Sequence, residues 1–249
     1  MTATTGTQAA AAAASGSAVD RLAARLRGPT GWVVLVLGVA WLASVVRAPE
    51  DAVQGVIQKI LYVHPPLAFA AYLGFLGTAL GGAVFLWRGD EAWDRLARSS
   101  AEVGVLFCTL MLITGPIWAR GTWGRWWSWD ARLTVTLLLW FLYLAYLLLR
   151  GFTEGSERAA RFAAVYGLVG IPVIVLNYFA IDLSGGRAIH PENLQRGSLG
   201  AGMGLPFLMG VLATLAAFAH LLARRIEVEG LRARLAERHA GGEEGRWAT

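Results

Sequence analysis

Between Trp123 and Asp130 the chain reads Trp-Gly-Arg-Trp-Trp-Ser-Trp-Asp, so four of its eleven tryptophans fall within seven residues, with Trp118 just before them. Indoles offer large flat faces that suit stacking or edge contact with a planar aromatic ligand. Arg120, Arg125 and Arg132 flank the run and suit the carboxylates of such a ligand. An aromatic belt at a membrane interface accounts for the same residues without a ligand. Asp130 reads equally as the N-cap of the helix that follows it or as part of a site. If the run is helical, Trp123, Trp126, Trp127 and Asp130 share one face at i, i+3, i+4 and i+7. The expectation is a short interfacial helix. Of four histidines, His64 and His190 bracket this loop, while His220 and His239 lie away from it. Neutral imidazole ligates iron at physiological pH. Two imidazoles across a flat ring system make a six-coordinate haem site.

The elements that must carry these residues are membrane spans. The 249 residues are 56% hydrophobic and 16% charged, with a mean hydropathy of +0.51, whereas soluble domains carry about a quarter charged residues. The apolar residues gather into runs long enough to cross a hydrocarbon core: Gly31–Val46, Pro66–Trp87, Ala101–Ala119, Leu133–Leu149, Phe162–Leu183 and Leu199–Ala223. Short loops remain, with no room for a soluble catalytic domain. Gly74, Thr78 and Gly82 form a small-residue face for close helix approach. Pro65 and Pro66 suit a helix start, and Thr114-Gly115-Pro116 predicts a kink or an end to the third span. The single cysteine, Cys108, lies within a span and excludes an intramolecular disulfide and any CxxCH attachment of haem.

Charge orients the spans. Fifteen of the 22 Lys and Arg fall on the tails and even loops, and seven on the odd loops, among them Arg47, Lys59, Arg120, Arg125, Arg132, Arg187 and Arg196. The positive-inside rule then puts both termini in the cytoplasm and the Trp loop outside. The net charge of +5 reports this topology, and no nucleic-acid partner is expected. Residues 1–29 are expected to form a cytoplasmic tail, disordered over Met1–Val19 and then basic at Arg21, Arg25 and Arg27. Residues 30–225 form the membrane domain. Residues 226–249 form a polar cytoplasmic tail, with a solvated helix from Arg224 to Glu237.

At this level of detail the chain resembles the six-span haem exporter protein C (CcmC-type) family of cytochrome c maturation, within the tryptophan-rich haem-handling proteins. The resemblance rests on Trp123-Gly124-Arg125-Trp126-Trp127-Ser128-Trp129-Asp130-Ala131-Arg132-Leu133-Thr134, on Lys59-Ile-Leu-Tyr-Val-His64-Pro, and on Leu112-Ile-Thr-Gly115-Pro-Ile-Trp118. It covers roughly residues 30–225. It implies haem b held non-covalently between His64 and His190 as axial ligands, against Trp118, Trp123, Gly124, Arg125, Trp126, Trp127, Trp129, Asp130 and Arg132. It also implies delivery to a periplasmic haem chaperone, beside other membrane subunits of the maturation complex including an ABC-transporter-like component, in the bacterial cytoplasmic membrane. The segment Tyr178-Phe-Ala-Ile-Asp-Leu-Ser-Gly-Gly-Arg-Ala-Ile-His190-Pro departs from the family's Leu-His-Gln-like pattern. His190 takes the second-ligand role as the outward histidine of that loop.

Ligand transfer without catalysis is the expected activity, so no enzyme is expected. The alternative is a transmembrane b-type cytochrome in electron transfer. That reading calls for haem sites at more than one depth, and the inner half offers only His220. A haem-conducting permease is a third reading, for which Asn177, Asp182 and Glu102 are too few to line a path.

Overall fold

The computed structural model describes residues 17–152, 156–185, 187–192 and 199–244. Of the disorder expected over Met1–Val19, residues 1–16 fall outside these, as does Arg196, whereas Ala18 and Val19 are helical and correct that expectation. Among the described residues seven α-helices follow in order: α1 (Ala18–Arg47), α2 (His64–Arg88), α3 (Glu91–Trp123), α4 (Ala131–Phe152), α5 (Glu157–Leu168), α6 (Gly170–Leu183) and α7 (Gly204–Glu244). A 3-10 helix, Val56–Tyr62, precedes α2. Six stretches are long and apolar enough to cross a membrane, with α5 and α6 together making the fifth. This is a multi-pass membrane protein.

The six spans alternate in direction, with α5 and α6 running on as one, so the start of α1 and the end of α7 lie at one end of the bundle, here the charged end. The Trp motif marks the opposite, aromatic end. Close backbone approach holds α2 to α3, since a Cβ on Gly74 would fall 2.4 Å from the Cα of Gly104. Of the small-residue face read from the sequence, Gly74 does this packing together with Gly77 and Gly81, whereas Gly82 approaches Ala164 and Thr78 approaches Gly167, both of α5. Phe75 stacks on Tyr143 at 3.9 Å, and the Tyr143 hydroxyl lies 3.1 Å from the Phe75 carbonyl and 3.2 Å from that of Gly167, tying α4 to α2 and α5. Pro172 removes the N–H that would reach Leu168, and the fifth span breaks there at Val169. Pro116 does not end α3, which continues to Trp123. The alternative of an early stop at Pro116 is corrected.

The expected interfacial helix over the Trp motif is also corrected. Gly124 ends α3 in the left-handed region at φ 72°, a conformation that favours glycine. Asp130 begins α4 by accepting the Leu133 N–H at 3.0 Å. Between these two caps the chain is irregular, so Trp123, Trp126, Trp127 and Asp130 do not share a helical face.

The described parts of both expected tails are helical and docked, not free. Helix α1 begins at Ala18 behind the Ser17 cap, and Asp20 pairs with Arg95 of α3 at 3.2 Å. Helix α7 continues without interruption past its span. Its Glu229 is buried and meets Arg225 at 2.7 Å, Arg232 at 3.0 Å and Arg98 of α3 at 3.5 Å. Arg225 also pairs with Glu102. The helix expected at Arg224–Glu237 is present, and one face of it is docked, not solvated.

Candidate functional site

At the aromatic end α2, α3, α4 and α6 enclose a cavity of about 500 Å3, within the range of small-molecule and cofactor sites. His64 and His190 both line it, with Trp118, Trp123, Trp127 and Arg132. Each imidazole has an indole at its edge: Trp118 lies 6.0 Å from His64 at 75°, and Trp123 lies 6.4 Å from His190 at 69°.

His64 is the first residue of α2, followed by Pro65 and Pro66 in the turn where missing N–H groups cost nothing. Its Nδ1 lies 3.1 Å from the Thr114 hydroxyl of α3. That hydroxyl donates its own proton to the carbonyls of Leu110 and Met111, at 3.0 and 3.1 Å. It therefore accepts from His64, which places the ring proton on Nδ1 and leaves a lone pair on Nε2. Gly115 gives the ring its room, because a Cβ there would stand 3.0 Å from the His64 Cε1.

His190 is fixed from two sides. Its backbone N–H donates to Asp130 Oδ2 at 3.1 Å, and its Nδ1 donates to the Pro191 carbonyl at 2.8 Å. Nε2 is again the nitrogen with a free lone pair. Burial pushes the His190 imidazole below its ordinary pKa, against the Pro191 contact that raises it, so the ring is neutral at pH 7. Asp130 performs both tasks that the sequence left open: one oxygen caps α4 and the other holds the second histidine. Trp118 is held in turn by its N–H to Gln54 Oε1 at 2.8 Å. Gln54 is itself shaped by Asp51, which accepts the backbone N–H groups of Val53 and Gln54.

The remaining motif residues point elsewhere. Gly124, Arg125, Trp126 and Trp129 are exposed and do not line the cavity, with Trp126 and Trp129 60% and 75% exposed. Arg120 donates to the Gly124 carbonyl. Deeper in the cavity, Asn177 of α6 is fully buried and donates to Thr136 at 2.8 Å and to the Arg132 carbonyl at 3.2 Å, while accepting from Tyr72. Sequence reasoning missed Gln54, Tyr72, Thr114 and Thr136. For Tyr72, Thr114 and Thr136 the available signal was that polar side chains inside spans are costly and so deserve a partner, whereas Gln54 lies in the exposed loop before the second span and carried no such signal.

The family model for heme exporter protein C matches residues 9–240. The chain belongs to that family. A heme exporter protein C of Bradyrhizobium diazoefficiens is 34% identical over 204 residues, covering 78% of this chain and 75% of that protein. Another from Haemophilus influenzae is 31% identical over 206 residues, covering 80% and 81%. A putative cytochrome c biosynthesis ccmC-like mitochondrial protein of Marchantia polymorpha is 35% identical over 144 residues, covering 58% and 62%. The resemblance drawn from the Trp motif is thereby established, and the cavity is where this heme exporter C member brings that motif together with His64 and His190.

Proposed function

We propose that the cavity holds haem b non-covalently, with Nε2 of His64 and Nε2 of His190 as its axial ligands, for use in c-type cytochrome biogenesis. The observation that carries this reading is the paired commitment of both Nδ1 atoms, which leaves Nε2 free on two imidazoles that line one aromatic cavity. Iron supplies the coordination chemistry when haem is bound. The chain supplies two neutral, oriented imidazoles and indole edges at Trp118 and Trp123. Among the described residues no cluster of three or more His, Cys, Asp or Glu converges, so a two-imidazole donor set fits haem better than a bare metal ion.

The activity is ligand transfer and no covalent catalysis. The exposed Trp126 and Trp129, on either side of the cavity-lining Trp127 in sequence, suit contact with a periplasmic haem chaperone, to which haem passes at the outer face of the cytoplasmic membrane. Both termini then lie in the cytoplasm. There the docked α1–α3–α7 charge network suits attachment to other maturation subunits, including an ABC-transporter-like component. Electron conduction as a b-type cytochrome is disfavoured. His220 is engaged by Thr30 of α1 at 2.9 Å and does not line the cavity.

The test is an absorption spectrum of the purified protein before and after reduction, with His64→Gly and His190→Gly beside it. Wild type is expected to be low-spin and six-coordinate. Each variant should lose that spectrum and regain it with free imidazole, while His220→Gly stays like wild type. An unchanged low-spin spectrum in folded His64→Gly without imidazole removes His64 as ligand.

A further inference from the structure

A second recess, of about 320 Å3, lies at the charged end between α3 and α7. Its walls are apolar, formed by Val103 and Leu106 of α3 and by Leu221 and Val228 of α7, and Glu102, Arg224 and Arg225 complete it. The recess straddles the edge of the hydrocarbon core. The 20 residues Gly204–Ala223 of α7 include no Lys, Arg, Asp or Glu, and a helix of that length is about 30 Å long, the thickness of the core. Arg224 is the first charge after that run. On α3, Glu102 is the last charge before another uncharged run, Val103–Ala119. The two transitions meet, because Arg225 pairs with Glu102. Leu106 and Leu221 lie about one turn further in, at the depth of acyl chains, while Arg224 lies at the depth of headgroups.

The charges of the recess are unequally used. Arg225 is spent within the protein, on Glu102 and, at 2.7 Å, on Glu229. Arg98 also approaches Glu102, at 3.5 Å, so the carboxylate in the wall is neutralised. Arg224 differs. Its ion pair among the described residues is a 3.5 Å contact to Glu227, which does not line the recess, and its side chain is 52% exposed. An ion pair so long and so open holds a guanidinium weakly. The recess therefore presents a positive rim over an apolar floor.

We propose that this recess binds one anionic phospholipid of the leaflet at the charged end. Its phosphate accepts from the Arg224 guanidinium, and one acyl chain lies against Leu106 and Leu221. Basic pockets between spans suit anionic headgroups, and the guanidinium fork matches phosphate geometry. A transmembrane helix of a partner fits worse. The wall on α7 runs only from Leu221 to Val228, about 10 Å, and two arginines interrupt it. The bound lipid braces α3 against α7 beside the buried Glu229, which joins the same two helices through Arg98 and Arg225. The site is at the opposite end of the bundle from the histidine cavity and does not depend on how that cavity is read.

The test is native mass spectrometry of the full chain, released from micelles that contain equal amounts of phosphatidylglycerol and phosphatidylcholine. Wild type should retain one phosphatidylglycerol about fivefold in preference to phosphatidylcholine, the effect of one basic residue at an anionic surface. Arg224→Gln should remove that preference and leave phosphatidylcholine retention unchanged. Arg88→Gln is the control: it removes an equal charge from an exposed position at the same end of the bundle and should keep the preference. Leu106→Trp fills the floor without changing charge and should reduce retention of both lipids. It tests the acyl seat even if Arg224→Gln does not fold. Inorganic phosphate should compete no better than chloride at equal ionic strength, because it has no chain to seat. Equal retention of the two lipids by wild type overturns the proposal. So does an equal loss of preference in Arg88→Gln and Arg224→Gln, which marks a diffuse surface charge. Full retention in Leu106→Trp, or displacement of the lipid by phosphate alone, overturns it as well.

Discussion

Thr114 shows how much of the site depends on a single hydroxyl. It is the group that decides which nitrogen of His64 carries the proton. Ring orientation set by such a partner is worth about 10–100-fold in metal affinity. Thr114→Val keeps the shape and removes the acceptor, so haem should be retained 10- to 100-fold less well, with membrane levels unchanged. A spectral titration measures this, and unaltered affinity would refute the tautomer argument. Gly115→Ala acts on the same ring by crowding Cε1. It should weaken haem retention in the same assay while sparing His190. His64 and His190 were legible in the sequence because histidines are few and these two bracket the Trp loop. Thr114 was not, because its bond to His64 joins residues 50 apart and exists only once α2 and α3 pack. Asp130 was half legible: the cap follows from its place before α4, whereas its hold on the His190 backbone joins two loops that the sequence leaves unrelated.

At the scale of elements, composition located the spans, and local chemistry decided their ends. The Trp motif misled because its spacing satisfies a helix, yet Gly124 and Asp130 are stronger signals than spacing. Gly124→Val places a β-branched side chain at φ 72°, a cost of roughly 1–3 kcal/mol. It should loosen the Trp126–Trp129 segment, seen as faster hydrogen exchange there with α3 unaffected. Proline was ambiguous in a different way. Pro172 breaks the fifth span, and Pro116 leaves α3 running to Trp123. What differs is the packing around each: Gly170 lies against Tyr143, whose hydroxyl contacts the Gly167 carbonyl at the break. The charged end of α1 offers a pH test. Burial would raise the pKa of Asp20, but the Ser17 hydroxyl and Arg95 outweigh it and hold the carboxyl below its ordinary value. A folded pKa below the unfolded one stabilises above the unfolded value and is lost as pH falls through the lowered one. Asp20 is partly exposed, so this contributes no more than about 1 kcal/mol. Hydrogen exchange over residues 17–25 should be slower in wild type than in Asp20→Asn at pH 7. The difference should shrink as pH falls below the usual aspartate range, through the lowered value.

Over the whole molecule, two independent observations speak to topology. The six alternating spans put the start of α1 and the end of α7 at one end of the bundle, and the Trp motif at the other. Lys and Arg divide along the same line, with Arg95, Arg98, Arg150, Arg224 and Arg225 at the charged end. Several of these are consumed by ion pairs: Arg95 with Asp20, Arg150 with Asp94, Arg225 with Glu102 and Glu229. The pairs do not cancel the bias, because membrane insertion counts Lys and Arg near the spans and acids contribute little. The charged end is therefore expected in the cytoplasm. Reporter fusions after Gly89 and after Arg234 should read as cytoplasmic, and one after Arg187 as external. Arg187 is the informative position, because it sits three residues before His190 in the segment that Asp130 ties to the Trp loop. A cytoplasmic reading there, with Gly89 also cytoplasmic, would separate His190 from the Trp motif by the thickness of the bilayer. The shared cavity could not then exist, and the axial pair would fall with it.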